Sequence, residues 1–153
     1  MVGTGHWGKN LARNFHALGA LAAICDSDAP TLERIGEHYP EVVRESDYRA
    51  LLANPEINAI ALATPAGAHF GMARAALLAG KHVFVEKPLA LNLADGERLV
   101  ELANERDQVL MVGHLLLFHP AVRRMEALIS EGKIGQLRYL YSNRLNFGQI
   151  RDH

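Results

Sequence analysis

The stretch Gly3-Thr4-Gly5-His6-Trp7-Gly8 decides the fold of this 153-residue chain. It has the spacing G-x-G-x-x-G, and apolar residues recur after it at the spacing of one helix face. In this pattern the first glycine permits a tight turn, the second lets a pyrophosphate approach the backbone, and the third lets helix and strand pack closely. The stretch predicts a dinucleotide site, with Gly3, Gly5, His6, Trp7 and Gly8 as candidate contacts. A purely structural glycine turn is the alternative.

An acidic residue, Asp26, closes the next apolar run, which covers residues 21–25. It follows the glycines at about the 20-residue spacing at which a carboxylate accepts a hydrogen bond from the adenosine ribose. Because the same carboxylate would repel a 2′-phosphate, Asp26 favours NAD over NADP as the cofactor. Asp28 stands shortly before Pro30, and we interpret it as a helix cap.

Short apolar runs alternate with helical patterns along the chain, as is typical of βαβ units and a parallel sheet. The runs predicted to be strands are residues 21–25, 57–63, 82–85 and 109–112. We therefore predict an α/β fold, a Rossmann doubly wound parallel sheet, over residues 1–118. Only Met1 and Val2 precede the glycine turn, so we expect the first strand of this sheet to be truncated.

Residues 119–153 predict the beginning of a second, incomplete α/β domain. A helical pattern with Val122, Met125 and Leu128 on one face follows Pro120, and Gly132 ends it. Residues 137–147 then alternate as a strand would. We interpret these two elements as the first helix and the first strand of a domain that the chain does not finish.

The composition argues against several classes of function. A formal net charge of -1 gives no electrostatic reason to expect nucleic acid or an anionic membrane as a partner. No apolar run approaches the roughly 20 residues that span a bilayer. The eight histidines lack metal-ligand spacing, so no metal is predicted. The single cysteine, Cys25, fits core packing in a reducing compartment, and without a signal peptide we expect a cytoplasmic protein.

Polar residues follow two of the predicted strands, at the sheet edge where open α/β folds bind ligands. Thr64 and Pro65 end the strand at residues 57–63, and His69 lies one turn inside the next helix. All three are candidate cofactor contacts. Thr64 could instead cap the helix, and His69 could instead pack in the interior.

The second such position is Glu86-Lys87-Pro88, directly after the strand at residues 82–85. Glu86 and Lys87 are candidate cofactor contacts, because the turn lies at the same sheet edge. The Lys87 ammonium is also a candidate catalytic group, since it could stabilise alkoxide charge during hydride transfer or help to move the hydroxyl proton. An ordinary surface lysine is the alternative.

These motifs together resemble those of the glucose–fructose oxidoreductase / inositol dehydrogenase / MocA (Gfo/Idh/MocA) family. The resemblance is carried by residues 3–8, 63–69, 79–88 (AGKHVFVEKP), 118–120 and 132–135, and it covers essentially the whole chain. It implies a Rossmann domain followed by an α/β domain with an open, mostly antiparallel sheet. In the family that second domain binds the substrate and often forms the oligomer interface.

The resemblance also implies an activity. Family members transfer a hydride between NAD or NADP and a carbinol carbon of a sugar, an inositol or a sugar nucleotide. Lys87 corresponds to the family lysine that positions the substrate or takes part in catalysis, and Pro88 is expected to follow a cis peptide bond. The main acid/base histidine of the family would lie beyond His153. Residues 113–120 and 142–146 resemble a subgroup that a UDP-N-acetyl-hexosamine 3-dehydrogenase would fit.

Two interpretations remain at this point. The first is an NAD-dependent oxidoreductase acting on a small-molecule sugar or sugar nucleotide, and forming a homo-oligomer through its second domain. The second is a non-catalytic nucleotide-binding module, or an inactive fragment of such an enzyme. A second domain with a suitably placed histidine would favour the enzyme.

Overall fold

The computed structural model of the chain describes residues 1–143 and residue 145. It contains two compact units, Met1–His114 and Leu115–His153. All strands of the described residues belong to the first unit.

One parallel sheet forms the middle of the first unit. Its strands are β1 (Ala23–Cys25), β2 (Val43–Glu45), β3 (Ala59–Leu62), β4 (His82–Val85) and β5 (Leu110–Val112). β1 pairs with β2, while β3, β4 and β5 are successive neighbours, and every pairing is parallel. Val2 lies between the two groups and bridges to Cys25 on one side and Leu62 on the other. The resulting order, β2-β1-Val2-β3-β4-β5, is that of a doubly wound Rossmann sheet.

The residues before the glycine turn therefore lie at the centre of the sheet. The Val2 N–H donates to the Ala61 carbonyl at 2.8 Å, and the Ala63 N–H donates to the Val2 carbonyl at 2.9 Å. On the other side, the Cys25 N–H donates to the Met1 carbonyl at 2.8 Å. The chain first moves from this position toward β1 and β2, and later returns on the opposite side as β3. The glycine turn consequently lies where the strand order reverses, which is where such sheets bind ligands.

Helices cover both faces of the sheet. They are α1 (Gly8–Ala17), α2 (Ala29–Gly36), α3 (Tyr48–Ala53), α4 (Ala66–Leu78) and α5 (Leu93–Glu105). Side chains alternate along the strands, so Ala23 and Cys25 enter one core while Ile24 enters the other. Residues of α1 and α2 complete the core on the side of Ile24, and residues of α3, α4 and α5 complete the other. Burial on both faces explains why β1 and β3, near the centre of the sheet, read as continuous apolar runs.

Local signals fix the ends of these helices. Asp28 caps α2 as predicted, because its carboxylate accepts the Thr31 N–H at 2.9 Å. Gly19 and Gly80 follow α1 and α4 with φ of 68° and 76°, a left-handed conformation that glycine adopts without strain. Over residues 1–143 and 145, no helix combines the length and the apolar character that a membrane crossing requires.

The second unit contains a short 3₁₀ helix, Leu115–Phe118, and α6, Pro120–Ser130. α6 confirms the predicted helix, and His119 caps it, since its ring Nδ1 accepts the Ala121 N–H at 3.2 Å. Gly132 follows α6 with a φ of 67°.

The strand predicted over residues 137–147 is wrong for the residues that the structure describes. Residues 137–143 and 145 have no regular secondary structure, and residues 144, 146 and 147 lie outside the described part of the chain. An alternating pattern becomes a strand only where a neighbouring strand accepts and donates its backbone hydrogen bonds. None of the described strands pairs with this segment.

Candidate active site

The glycine turn packs tightly against its surroundings at Gly3 and Gly8. Gly3 has a φ of 80°, and a Cβ there would lie 2.8 Å from the Ala63 carbonyl oxygen. A Cβ on Gly8 would lie 1.8 Å from the Gly3 carbonyl oxygen. Only glycine fits at either position, because any side chain would displace backbone at the end of β3 or within the turn itself.

Gly5 differs because it faces open space. It is exposed, and a Cβ there would meet no atom within 4 Å. Packing within the protein therefore does not require glycine at this position. Among the residues that the structure describes, no side chain caps the N-terminus of α1 at Trp7. A bare stretch of backbone beside an uncapped helix N-terminus is suited to close approach by a pyrophosphate.

Asp26 holds the glycine turn from the end of β1. Its Oδ2 accepts the Thr4 backbone N–H at 2.7 Å and the Thr4 hydroxyl at 2.9 Å, and its Oδ1 accepts the Asp28 N–H at 3.1 Å. Thr4 is fully buried, whereas Asp26 is half-buried and retains contact with solvent. The carboxylate thus fixes the turn and still has lone-pair sites for a ribose hydroxyl.

Trp7 connects the glycine turn to the lysine-bearing turn after β4. Its indole Nε1 donates to Glu86 Oε1 at 2.6 Å, and Glu86 Oε2 accepts the Lys87 backbone N–H at 3.3 Å. His6, beside Trp7, is exposed. The connection places two turns that are distant in sequence at one edge of the sheet.

Lys87 is exposed at this edge, and the peptide bond between Lys87 and Pro88 is cis, as the family resemblance implied. In the part of the chain that the structure describes, the Lys87 ammonium takes part in no ion pair. The neighbouring carboxylate of Glu86 is engaged by Trp7. The ammonium can therefore contact a ligand without first breaking an internal contact.

Thr64 and Pro65 follow β3 at the same edge. Pro65 occupies the N-cap position of α4, and no side chain supplies a capping bond, so Thr64 does not cap this helix. The Thr64 hydroxyl oxygen is buried without a hydrogen-bond partner among the described residues. An unsatisfied buried hydroxyl beside the glycine turn is a group that rearrangement around a bound ligand could satisfy.

His69 lies in the interior instead of the cleft, which corrects its interpretation as a cofactor contact. Its side chain is 1% exposed. The ring Nε2 lies 2.8 Å from the Thr64 carbonyl oxygen, and Nδ1 lies 2.7 Å from the Pro88 carbonyl oxygen. Because the ring is buried and each nitrogen lies beside a carbonyl oxygen, no polar atom of His69 is accessible to a cofactor.

Two residues of the site carry no signal in the sequence. Thr4 occupies a variable position of the glycine motif, and its bond to Asp26 becomes visible only in the fold. A Cβ on Gly113 would lie 3.0 Å from Glu86 Oε1, so Gly113 leaves room for the carboxylate that Trp7 contacts. Both roles depend on contacts between separate strands, which no local pattern reveals.

Several known proteins resemble this chain in sequence and in fold. The family model of GFO_IDH_MocA, described as an oxidoreductase family with an NAD-binding Rossmann fold, matches residues 1–114. A UDP-N-acetylglucosamine 3-dehydrogenase from Acidithiobacillus ferrooxidans is 34% identical over 151 residues, which is 95% of this chain and 44% of that protein. A solved structure of the same dehydrogenase has a TM-score of 0.75, with 32% identity over 82% of this chain and 41% of its own.

Two further solved structures are similar. A 3-ketoreductase from Actinomadura kijaniata, in complex with TDP-benzene and NADP, has a TM-score of 0.78 and 29% identity over 86% of this chain and 42% of its own. The scyllo-inositol dehydrogenase from Lactobacillus casei, with bound NAD(H) and scyllo-inositol, has a TM-score of 0.79. It is 28% identical, over 88% of this chain and 41% of its own. The chain spans less than half the length of each of these relatives.

Proposed function

Because this chain belongs to the Gfo/Idh/MocA family of oxidoreductases, we propose that it forms the NAD-binding part of an enzyme that oxidises or reduces a carbinol carbon. The substrate class is a sugar, an inositol or a sugar nucleotide. One observation carries the proposal: the open backbone at Gly5, the carboxylate of Asp26 and the exposed side chain of Lys87 follow Val2, β1 and β4 at the same edge of one sheet.

The residues around the glycine turn would hold the dinucleotide. The backbone near Gly5 and the N-terminus of α1 would bind the pyrophosphate, since the helix dipole favours an anion there. Asp26 would accept a hydrogen bond from the adenosine ribose, and its negative charge disfavours an added 2′-phosphate. NAD is therefore the proposed cofactor, in preference to NADP.

Lys87 would act on the substrate oxygen. The bound nicotinamide supplies the hydride chemistry, which the protein itself cannot perform. Oxidation takes a hydride from the carbinol carbon and a proton from its hydroxyl group, and reduction reverses both transfers. The Lys87 ammonium would donate a hydrogen bond to that oxygen and stabilise the negative charge that develops on it. We expect the residue that exchanges the proton to belong to a second domain, as the family resemblance implies.

Thermal unfolding with added dinucleotides tests the cofactor assignment. A ligand that binds only the folded state stabilises it by about 2.7 kcal/mol at a hundredfold excess over its Kd. We expect NADH to raise the unfolding temperature of the 153-residue chain more than NADPH does. In Asp26→Asn, which lacks the charge, the difference should shrink. A cooperative transition that neither dinucleotide moves would refute the proposal.

Turnover of the complete protein tests the role of Lys87. Lys87→Ala should lower kcat by at least ~100-fold, a typical contribution of a positioned proton-transfer or electrostatic group, and should leave NADH affinity nearly unchanged. Lys133→Ala, at an exposed lysine of the second unit that has no part in the proposed cofactor site, is the matched control. Unchanged kcat in Lys87→Ala would remove Lys87 from the catalytic machinery.

The similarity to a UDP-N-acetylglucosamine 3-dehydrogenase supports a finer proposal, that the substrate is a UDP-N-acetyl-hexosamine. NADH formation by the complete protein, measured separately with this sugar nucleotide, with myo-inositol and with free N-acetylglucosamine, would rank the three substrate classes.

We further propose a homo-oligomer formed through the second domain, which sedimentation of the complete protein can check. A cytoplasmic location is also proposed, since the only cysteine is a buried free thiol.

A further inference from the structure

The ring of His69 joins two turns that the sheet itself no longer connects. The ladder between β3 and β4 ends at the pair Leu62 and Val85, beyond which the Glu86 N–H still donates to the Leu62 carbonyl at 2.9 Å. Both segments then leave the sheet as the turns that carry Thr64 and Lys87. His69 lies between these turns, with one nitrogen at each.

The chemistry of the two contacts requires the ring to donate. A carbonyl oxygen only accepts hydrogen bonds, so each nitrogen that bonds to one must carry a proton. Hydrogen bonds to both carbonyls therefore need an N–H on each nitrogen, which only the doubly protonated ring has. Prolines adjoin both acceptors, since Pro65 follows Thr64 and Pro88 supplies the second carbonyl. Neither proline has an amide hydrogen to offer in these turns.

The contact at Pro88 matters most because Lys87 directly precedes it. The lysine-bearing turn has two side-chain contacts from distant segments, one on each side of Lys87. Trp7 reaches Glu86 from the glycine turn at 2.6 Å, and His69 reaches Pro88 from α4 at 2.7 Å. The backbone of Lys87 is therefore held between two side chains that come from different elements.

We infer that His69 is a positioning residue: its imidazole clasps the Thr64 and Pro88 carbonyls, and so sets where Lys87 stands relative to the turn after β3. The inference rests on the proposed function only for the role of Lys87. The clasp, meaning the two contacts of the His69 ring, concerns the protein alone. It can be tested without cofactor or substrate.

Two substitutions of His69 test the two contacts of the clasp separately. The asparagine amide nitrogen is attached to Cγ, like Nδ1, and can still donate toward Pro88. The glutamine amide nitrogen is attached to Cδ, like Nε2, and can still donate toward Thr64. His69→Asn should therefore keep the turn after β4 ordered and release the turn after β3, and His69→Gln should do the reverse.

Hydrogen exchange measured by mass spectrometry reads the two turns separately. In each variant, we expect exchange in the released turn (residues 62–68 or 86–92) to quicken by about tenfold, as for loss of one hydrogen bond, while the retained turn changes little. His82→Gln is the matched control, because His82 lies at the other end of β4 and its ring accepts the Val109 N–H. Equal acceleration of both turns in both variants, or none in either, would overturn the clasp.

A second measurement applies if both variants fail to fold. In the wild-type chain, a clasped imidazole N–H is shielded from water, so its proton should be visible by NMR with contacts to protons near Thr64 or Pro88. Absence of a protected N–H at either Nδ1 or Nε2 of His69 would overturn the inference. Neither readout involves NADH, so a chain that shows the clasp and binds no dinucleotide would refute the proposed function alone.

Discussion

The Trp7 indole nitrogen lies 2.6 Å from Glu86 Oε1, although 79 residues separate the two in sequence. This bond joins the turn proposed to bind the pyrophosphate with the turn that carries Lys87. Replacement of Trp7 by Phe keeps an aromatic ring and removes the donor. We expect Trp7→Phe and Glu86→Ala to be coupled by about 1 kcal/mol in a double-mutant cycle, the usual net value of such a bond.

Urea unfolding followed by circular dichroism measures this coupling, since Trp7 is the single tryptophan of the chain and its fluorescence is lost in the variant. Two strictly additive substitutions would mean that the bond contributes nothing to stability.

Gly5 and Gly8 of the turn should respond differently to a methyl group. Gly5→Ala places Cβ in open space, so its free energy of unfolding should stay within about 0.5 kcal/mol of wild type. NADH affinity should fall at least ~10-fold, because the methyl group occupies the surface needed for close approach of the pyrophosphate.

Gly8→Ala is the matched comparison, because its Cβ would lie 1.8 Å from the Gly3 carbonyl oxygen. It should cost about 1–3 kcal/mol or more of stability through overpacking. Urea unfolding and NADH titration of both variants separate the two effects. Unchanged affinity in a fully folded Gly5→Ala would place the pyrophosphate elsewhere.

Two threonines of the site, whose hydroxyl groups are both buried, should affect stability in opposite ways when replaced by valine. The Thr64 hydroxyl has no partner among residues 1–143 and 145, whereas the Thr4 hydroxyl donates to Asp26 at 2.9 Å. Thr64→Val should leave the stability of the chain unchanged or raise it by up to about 1 kcal/mol, because no bond is lost. Thr4→Val should cost about 1–3 kcal/mol, because it leaves a half-buried carboxylate short of a donor.

Thermal unfolding of both valine variants, with and without NADH, checks this contrast. If the cofactor uses the Thr64 hydroxyl, the stabilisation by NADH should decrease in Thr64→Val. A loss of stability in Thr64→Val without ligand would show that its hydroxyl already has a partner in the folded chain.

Because of Cys25, the free energy of unfolding of the chain should depend on pH in the alkaline range. Burial raises the pKa of its thiol to about 11, and the side chain is 2% exposed. In the unfolded chain the thiol ionises near pH 9, so the unfolded state releases its proton first as the pH rises. The stabilisation is complete below pH 9 and should be lost between about pH 9 and pH 11, by up to about 2 kcal/mol.

Urea unfolding across this range should show the decline in wild type, and Cys25→Ala should lack it. Thiol labelling at pH 8 gives an independent check, because a buried protonated thiol reacts only when the chain opens. Rapid labelling of the folded chain would contradict the burial of Cys25.

The sheet could largely be predicted because its buried strands read as apolar runs. β4 has the predicted bounds, and β1, β3 and β5 lie inside theirs. β2 and α3 were not predicted. Val43 in β2 is 59% exposed, so this edge strand lacks an apolar signal, and α3 is too short to show a helical period.

The sequence indicated candidate residues for the site, but it did not indicate the contacts that they make. Motif spacing indicated Asp26 and Lys87, because strand ends in a parallel sheet meet at one edge. Motif spacing could not indicate that Asp26 accepts hydrogen bonds from Thr4, or that the His69 ring is buried between two carbonyl groups. Such contacts depend on which turns become neighbours at the edge of the sheet. That arrangement follows from the packing of the whole domain, so no local sequence pattern reveals it.

The bridge at Val2 has a consequence for how the domain unfolds. The segment around Val2 forms the seam between the β1–β2 half and the β3–β4–β5 half of the sheet, with backbone hydrogen bonds to Cys25 on one side and to Ala61 and Ala63 on the other. Each half also pairs internally, so the two halves could exchange their amide hydrogens as separate foldons. A dinucleotide contacting both Asp26 and Thr64 would span the seam. Its measured affinity would then include the free energy of keeping the halves together, and its binding would merge two unfolding steps into one.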